Sequence, residues 1–126
     1  MTTVIPSGDC GNSPKNIFVE NLTIAFAKGD AEFVLSSVTD DILWNILGQK
    51  LIQGKNDFAK AVEQMRNDRV EKITIHHVVT HGKAGAVDGT MKLADGRTCA
   101  FCDVFEFSNA KGTHVREITS YVIEIS

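Results

Sequence analysis

One stretch limits what this chain can fold into more than any other: Arg97 to Phe107, R-T-C-A-F-C-D-V-F-E-F. It alternates as a β-strand does, so Cys99, Phe101, Asp103, Phe105 and Phe107 share one face. That face is aromatic and apolar, with a single carboxylate in its middle. A carboxylate set among aromatic rings has to be paired, protonated or in contact with something that is not protein. The chain therefore reads as a small α+β domain with an apolar pocket and Asp103 in the pocket wall. The opposing reading makes Asp103 a structural carboxylate, paired with Arg97, Arg116 or a backbone N–H.

The strand has neighbours of its own kind. Lys72 to His81 has period two, with Ile73, Ile75, His77, Val79 and His81 on one face. Gly82 to Gly85 reads as a turn and Ala86 to Leu93 as the next strand, in which Val87, Met91 and Leu93 fall together. Gly89 inside that strand signals a bulge or a strong bend. Asp95-Gly96 is a hairpin turn, and Ser108 to Gly112 is a longer one. His114 to Ile125 is the last strand, where Ser120 and Tyr121 compete for the inward position.

The first half is helical. Ser13-Pro14 opens a helix that runs to Lys28, with Phe18, Leu22, Ala25 and Phe26 as its buried stripe and Gly29 as its stop. Asp30 caps a shorter helix over Ala31 to Ser37. Asp40-Asp41 reads as a polar break before a strand over Ile42 to Leu47, in which Ile42, Trp44 and Ile46 share a face. Lys50 to Gln53 is extended. Gly54 to Asp57 opens a third helix that buries Phe58, Ala61, Val62 and Met65 on one side. Residues 1–12 have no period and read as an irregular arm, ahead of a single domain over 13–126. Helices first and hairpin-linked strands after predict helices packed on one face of an antiparallel sheet.

Bulk properties exclude several classes. A chain of 126 residues is one domain with room for a core. The formal net charge is −3 with no basic stripe, so neither nucleic acid nor an anionic membrane surface is an expected partner. No apolar run is long enough to span a bilayer, and the start lacks the features of a secretory leader. Three cysteines cannot all pair within the chain, which points to a reducing compartment, the cytosol.

Several strings in order resemble the NTF2-like superfamily, in particular its SnoaL-like and ketosteroid-isomerase-like branch. They are A-F-A-K-G-D (25–30), V-T-D-D-I-L-W (38–44), L-I-Q-G-K-N-D-F (51–58), and D-V-F-E-F followed by a glycine-containing turn and V-R-E-I-T-S-Y. The resemblance implies a cone: a strongly curved, mostly antiparallel sheet wrapped around three helices, with a pocket at the wide end. It also implies a homodimer through the outer sheet face. Of the three catalytic positions in the ketosteroid isomerases, only the protonated acid is matched, by Asp103. The base falls on Ile46 and the tyrosine donor on about Leu22. Nothing matches the Asp-Arg-Asp arrangement of the family's epoxide hydrolases. The comparison of Asp103 with the neutral acid of ketosteroid isomerase follows a known example of a carboxylic acid kept neutral by an apolar site.

The site residues expected from sequence are Asp103 as acid or hydrogen-bond donor, with desolvation raising its pKa, and His77 as a possible base or partner. Trp44, Phe26, Phe58, Phe101, Phe105 and Tyr121 are the expected ligand contacts; Trp44 suits core packing equally well, and of the four phenylalanines, which as a class pack in cores more often, one or two are expected to touch the pocket. His77 and His81 lie about 13 Å apart on a strand, too far to share an ion, so no metal is expected. Cys99 and Cys102 have C-x-x-C spacing but point to opposite faces of a strand, unlike the helix-start pair of a redox motif. Cys102 joins Ala100 and Val104 on an apolar outer face that suits a dimer. Cys10, in S-G-D-C-G-N-S, reads as a plain cysteine that could reach the pocket mouth. Phosphate-loop, nucleophile-elbow and dinucleotide signatures are missing, and no cofactor is expected. The leading expectation is a protein that binds a small, partly apolar molecule. The alternatives are an isomerase, lyase or hydrolase working through Asp103, and a dimeric interaction scaffold.

Overall fold

The computed structural model describes residues 2–8, 13–65 and 69–126. In chain order the elements are β1 (Thr3–Ile5), α1 (Pro14–Lys28), α2 (Ala31–Ser36), β2 (Val38–Ile46), β3 (Lys50–Gln53), α3 (Lys55–Met65), β4 (Val70–His81), β5 (Ala84–Leu93), β6 (Thr98–Phe107) and β7 (Val115–Glu124). The strands form one curled, unclosed sheet in the order β1-β4-β5-β6-β7-β2-β3. Its pairings are antiparallel except β1 with β4 and β2 with β7, which are parallel. The three helices pack on the inner face, as the α+β reading expects.

Local chemistry sets the helix ends where the sequence suggests. The Ser13 side chain accepts from the Asn16 N–H at 3.2 Å, Pro14 occupies the first turn, and Gly29 closes α1 in the left-handed region at φ 73°. Asp30 accepts from the Phe33 N–H and starts α2. The core lies between α1, α3 and the sheet. Phe58, Phe105, Phe107, Leu22, Ile42 and Ile118 are its largest fully enclosed side chains. Phe18 and Phe26, expected in the buried stripe of α1, are only partly covered.

Three expectations are corrected. The arm is not irregular throughout: Thr3–Ile5 runs parallel to Lys72–Thr74 and extends the same sheet. Asp40-Asp41 is not a break between elements. Both residues sit exposed within β2, where the register against β7 shifts between Val38 and Leu43. The pleat absorbs the two acids as an irregularity that keeps them in water.

The third correction concerns β4. Ile73 and Ile75 face the core, but the pairing with β5 then skips a residue between Ile75 and His77. One extra residue in a strand reverses the inward and outward sets beyond it. His76 and His77 are consequently both exposed, Val78 is buried, and Val79 is out in solvent at 60% exposure. Gly89 lies opposite this bulge, paired with Ile75. No helix among the described residues is long and apolar enough to cross a membrane.

Candidate functional site

The curl leaves a hollow of about 320 Å³ between the inner face of the sheet, α1 and the end of α3. Phe26 and Thr23 reach it from α1, Trp44 and Ile46 from β2, Phe101 and Asp103 from β6, and Ile118, Ser120 and Val122 from β7. The wall is mainly apolar. Asp103 is the one carboxylate among the described residues that line it.

Two residues placed there by sequence are rings that hold one another in position. Trp44 and Phe26 lie 5.5 Å apart between centroids, and Phe58 meets both edge-on, at 5.5 Å from Trp44 and 6.1 Å from Phe26. Phe58 itself is fully enclosed and does not line the hollow. It packs behind the two lining rings. Phe101 lines the hollow. Phe105 is packed in the core at 2% exposure. Of the six expected aromatic contacts, Trp44, Phe26 and Phe101 are therefore at the cavity and Phe58 and Phe105 are core.

Tyr121 is on the other side of the sheet. It pairs with Cys102 on β6 and is 46% exposed, while Ser120 pairs with Asp103 and faces inward. His77 is also on the outer face, where its Nδ1 lies 2.9 Å from the Asp88 carboxylate, and both side chains are solvent-exposed. The bulge in β4 is the cause. His77 neither pairs with Asp103 nor reaches the hollow, which removes it as a base for any chemistry there. Cys99 points into the hollow and Cys102 away from it, in keeping with the strand alternation. Cys10 lies outside the described residues.

Asp103 is half-buried, and the surface it keeps opens on the hollow. Burial raises its carboxyl from the ordinary 3.8 to about 6, and a hydrogen bond from Ser120 offsets part of that rise. Both arginines considered as its partner are paired elsewhere. Arg97, at the rim, bonds Asp95 through Nε at 2.8 Å and approaches Glu124 at 4.0 Å. Arg116 pairs with Glu106. Asp103 instead faces Ser120, whose hydroxyl favours the ionised carboxyl, and Ser120 Oγ itself accepts from the Trp44 indole N–H at 2.8 Å.

Ser120 is the lining residue that sequence reasoning left undecided. A straight count back from the β6–β7 turn would set Thr119 across from Asp103; the register shift between Glu106 and Phe107 brings Ser120 there instead. Ile46 and Leu22, where the resemblance would put a base and a tyrosine, are a lining aliphatic and an enclosed core residue. What this arrangement can do is hold a flat apolar body against Trp44, Phe26 and Phe101 while offering one carboxyl that takes up or gives up a proton near neutral pH.

The family model of the SnoaL-like domain matches residues 19–115. None of the curated proteins matches the chain. Many solved structures share the fold. An NTF2-like protein of unknown function from Cytophaga hutchinsonii is 26% identical, covering 86% of this chain and 99% of its own, with a TM-score of 0.64. An LEH-like epoxide hydrolase from M. tuberculosis is 22% identical over 86% of this chain and 82% of its own, with a TM-score of 0.72. The epoxide hydrolase/cyclase-like enzyme SalBIII, of pyran ring formation in the polyether salinomycin, is 13% identical over 90% and 93%, with a TM-score of 0.74.

Proposed function

The chain belongs to the SnoaL-like family, and from that premise we propose that it binds a small, partly apolar molecule in the hollow beside Asp103. The observation that carries this reading is a lone carboxyl, raised to about 6, in an apolar wall. Such a group is costly to keep in a fold unless something uses it. An apolar lining with few convergent polar groups is the usual make-up of a ligand site.

Trp44 is the only tryptophan of the chain and stands in this wall, so its emission reports occupancy. We expect native mass spectra of the purified protein to show a reproducible added small-molecule mass. We also expect Asp103→Leu to lose it, with at least about tenfold weaker binding, as befits a lost buried hydrogen bond to the ligand. A wild type that carries no added mass, and whose Trp44 emission does not respond to a panel of small aromatic ketones, would overturn the proposal.

A second reading, an isomerase, lyase or hydrolase, is favoured by one observation: a pKa of about 6 suits a group that both gives and takes protons at neutral pH. With His77 on the outer face, Asp103 or a water bound to it would carry both proton transfers. The epoxide-hydrolase and cyclase-like neighbours supply this reading by analogy of fold alone. Under it, Asp103→Asn keeps ligand binding and abolishes turnover.

We further propose that the chain works in the cytosol as a homodimer, joined through the outer face of β4–β7. Val79, Val104, Tyr121 and Ile123 are exposed there, around a groove floored by Ala86, Ala100 and Cys102. Exposed apolar surface of this kind is commonly an association face. Light scattering is expected to give a dimer for the wild type and a monomer for Ile123→Glu. A wild type that stays monomeric at all concentrations would sink the idea.

A further inference from the structure

We propose that His76 and His77 form a surface site for a divalent transition-metal ion such as Zn²⁺, with Asp88 as the positioning residue behind His77. The site stands on β4, away from the hollow, and does not depend on what the hollow binds.

The bulge in β4 makes the site. Ile75 pairs with Gly89 and His77 with Asp88, so His76 and His77 together stand against one residue of β5. In an unbroken strand two consecutive side chains point to opposite faces. Here both are in water, while Ile75 before them and Val78 after them are buried. Gly89 allows this arrangement. A Cβ there would overlap the Thr74 carbonyl oxygen, so the strands approach this closely only opposite a glycine. The expectation of no metal compared His77 with His81, four residues along the strand. The bulge supplies a nearer neighbour that alternation hides.

The two ring centroids are 6.5 Å apart. A zinc ion sits about 2 Å from an imidazole nitrogen, which allows centroids up to about 6 Å apart on a shared ion. A small rotation of exposed side chains closes that difference.

The carboxylate sets the tautomer. His77 Nδ1 lies 2.9 Å from Asp88 Oδ1. An ionised carboxylate can only accept, so the bond puts the ring proton on Nδ1 and leaves the Nε2 lone pair for an ion. Metal-ligating histidines commonly donate their other nitrogen to a carboxylate in this way.

Among the described residues no three of His, Cys, Asp or Glu are set to hold an ion together. The pair therefore offers two nitrogens and leaves the other positions to water, or to a molecule that brings its own donors. The nearby thiol does not join them. Cys102 lies across from Asp88, and burial raises its pKa, helped by the carboxylates of Asp103 and Asp88. A thiol kept protonated is a poor ligand. Imidazole nitrogens without a thiolate suit Zn²⁺, Ni²⁺ or Cu²⁺ rather than Cu⁺.

The test is a titration of the purified protein with Zn²⁺ at neutral pH, followed through the ring nitrogen resonances of each histidine. We expect His76 and His77 to shift together and to saturate at one ion per chain, with His81 and His114 unmoved. His76→Asn and His77→Asn, both at exposed positions, should each abolish that saturation. In the metal-free protein the His77 proton should be on Nδ1. Asp88→Ala should move it toward Nε2 and weaken zinc binding by about tenfold. His76→Asn, which spares the Asp88 bond, should leave the tautomer as it is. Rings that do not shift, that saturate separately, or that shift no more than His81 and His114 overturn the site. A tautomer indifferent to Asp88→Ala overturns the role of Asp88. Zinc binding that disappears in Ile123→Glu would put the ion between copies and overturn a site within one chain.

Discussion

Replacing Asp103 by asparagine is expected to stabilise the protein at about pH 8, by up to about 3 kcal/mol, and to change little below about pH 4. The carboxyl is raised from 3.8 to about 6 in the folded chain. Between those values the native state holds a proton that the unfolded state has released. Native stability therefore falls as pH rises through this window and stays low above it. A rise of roughly two units corresponds to about 3 kcal/mol, and water in the hollow makes this an upper figure. Asparagine is neutral at every pH and can accept from Ser120 as the acid does, so it escapes the penalty. Urea denaturation at several pH values measures the difference directly. An Asp103→Asn protein that is less stable than wild type at about pH 8 would show that the carboxylate is compensated in a way the Ser120 bond does not explain. The expected result would also mean that the chain gives up stability to keep an ionisable group in its cavity, as functional sites commonly do.

Gly89→Ala is expected to destabilise the fold by more than about 3 kcal/mol, well above the typical cost of a point change. A Cβ at this position would overlap the Thr74 carbonyl oxygen and come within 3.1 Å of both Ile75 Cα and Phe101 Cε1. The first two are backbone atoms and cannot step aside. The third is a ring that lines the hollow. Relief would require β4 to lose its bulge, which would turn every residue beyond Ile75 to the opposite face. Denaturation gives the cost, and backbone NMR shifts at Thr74, Ile75 and Phe101 show where the strain goes. A cost under about 1 kcal/mol would mean that the strands separate at this crossing more easily than packed cores allow.

Gly89 also shows how far the sequence could be read. A glycine inside an alternating strand announces a bulge, but not which of the two strands carries the extra residue. Here it is the partner strand β4, and that one insertion moved His77 from an expected cavity position to the outer face. Alternation is a reliable guide only while the strand is unbroken. The elements themselves were legible because their signals are local: a capping serine before a proline, a glycine after Lys28, Asp95-Gly96 at a hairpin. Asp103 was legible because a lone carboxylate contrasts with its aromatic neighbours. Ser120 and Tyr121 could not be separated because β7 is apolar on both faces, with Ile118 and Val122 inside and Ile123 outside. The contribution of β1 was invisible for a different reason. Its pairing is with a segment far along the chain, and three residues carry no period.

That short first strand has a consequence for how the molecule behaves in a crowd. A sheet recruits strands from other chains through any long row of unpaired N–H and C=O groups on its rim. The two rims here are β1, three residues long, and β3, four residues long. The 12-residue β4 would otherwise form one rim, but its first part is covered by β1. The remainder carries the kink at His76 and His77, whose side chains stand in water. Among the described residues, strand-by-strand aggregation therefore meets only short or kinked rims at β1, β3 and the end of β4. The bulge that carried His77 out of the hollow also blunts the edge at which such growth would begin.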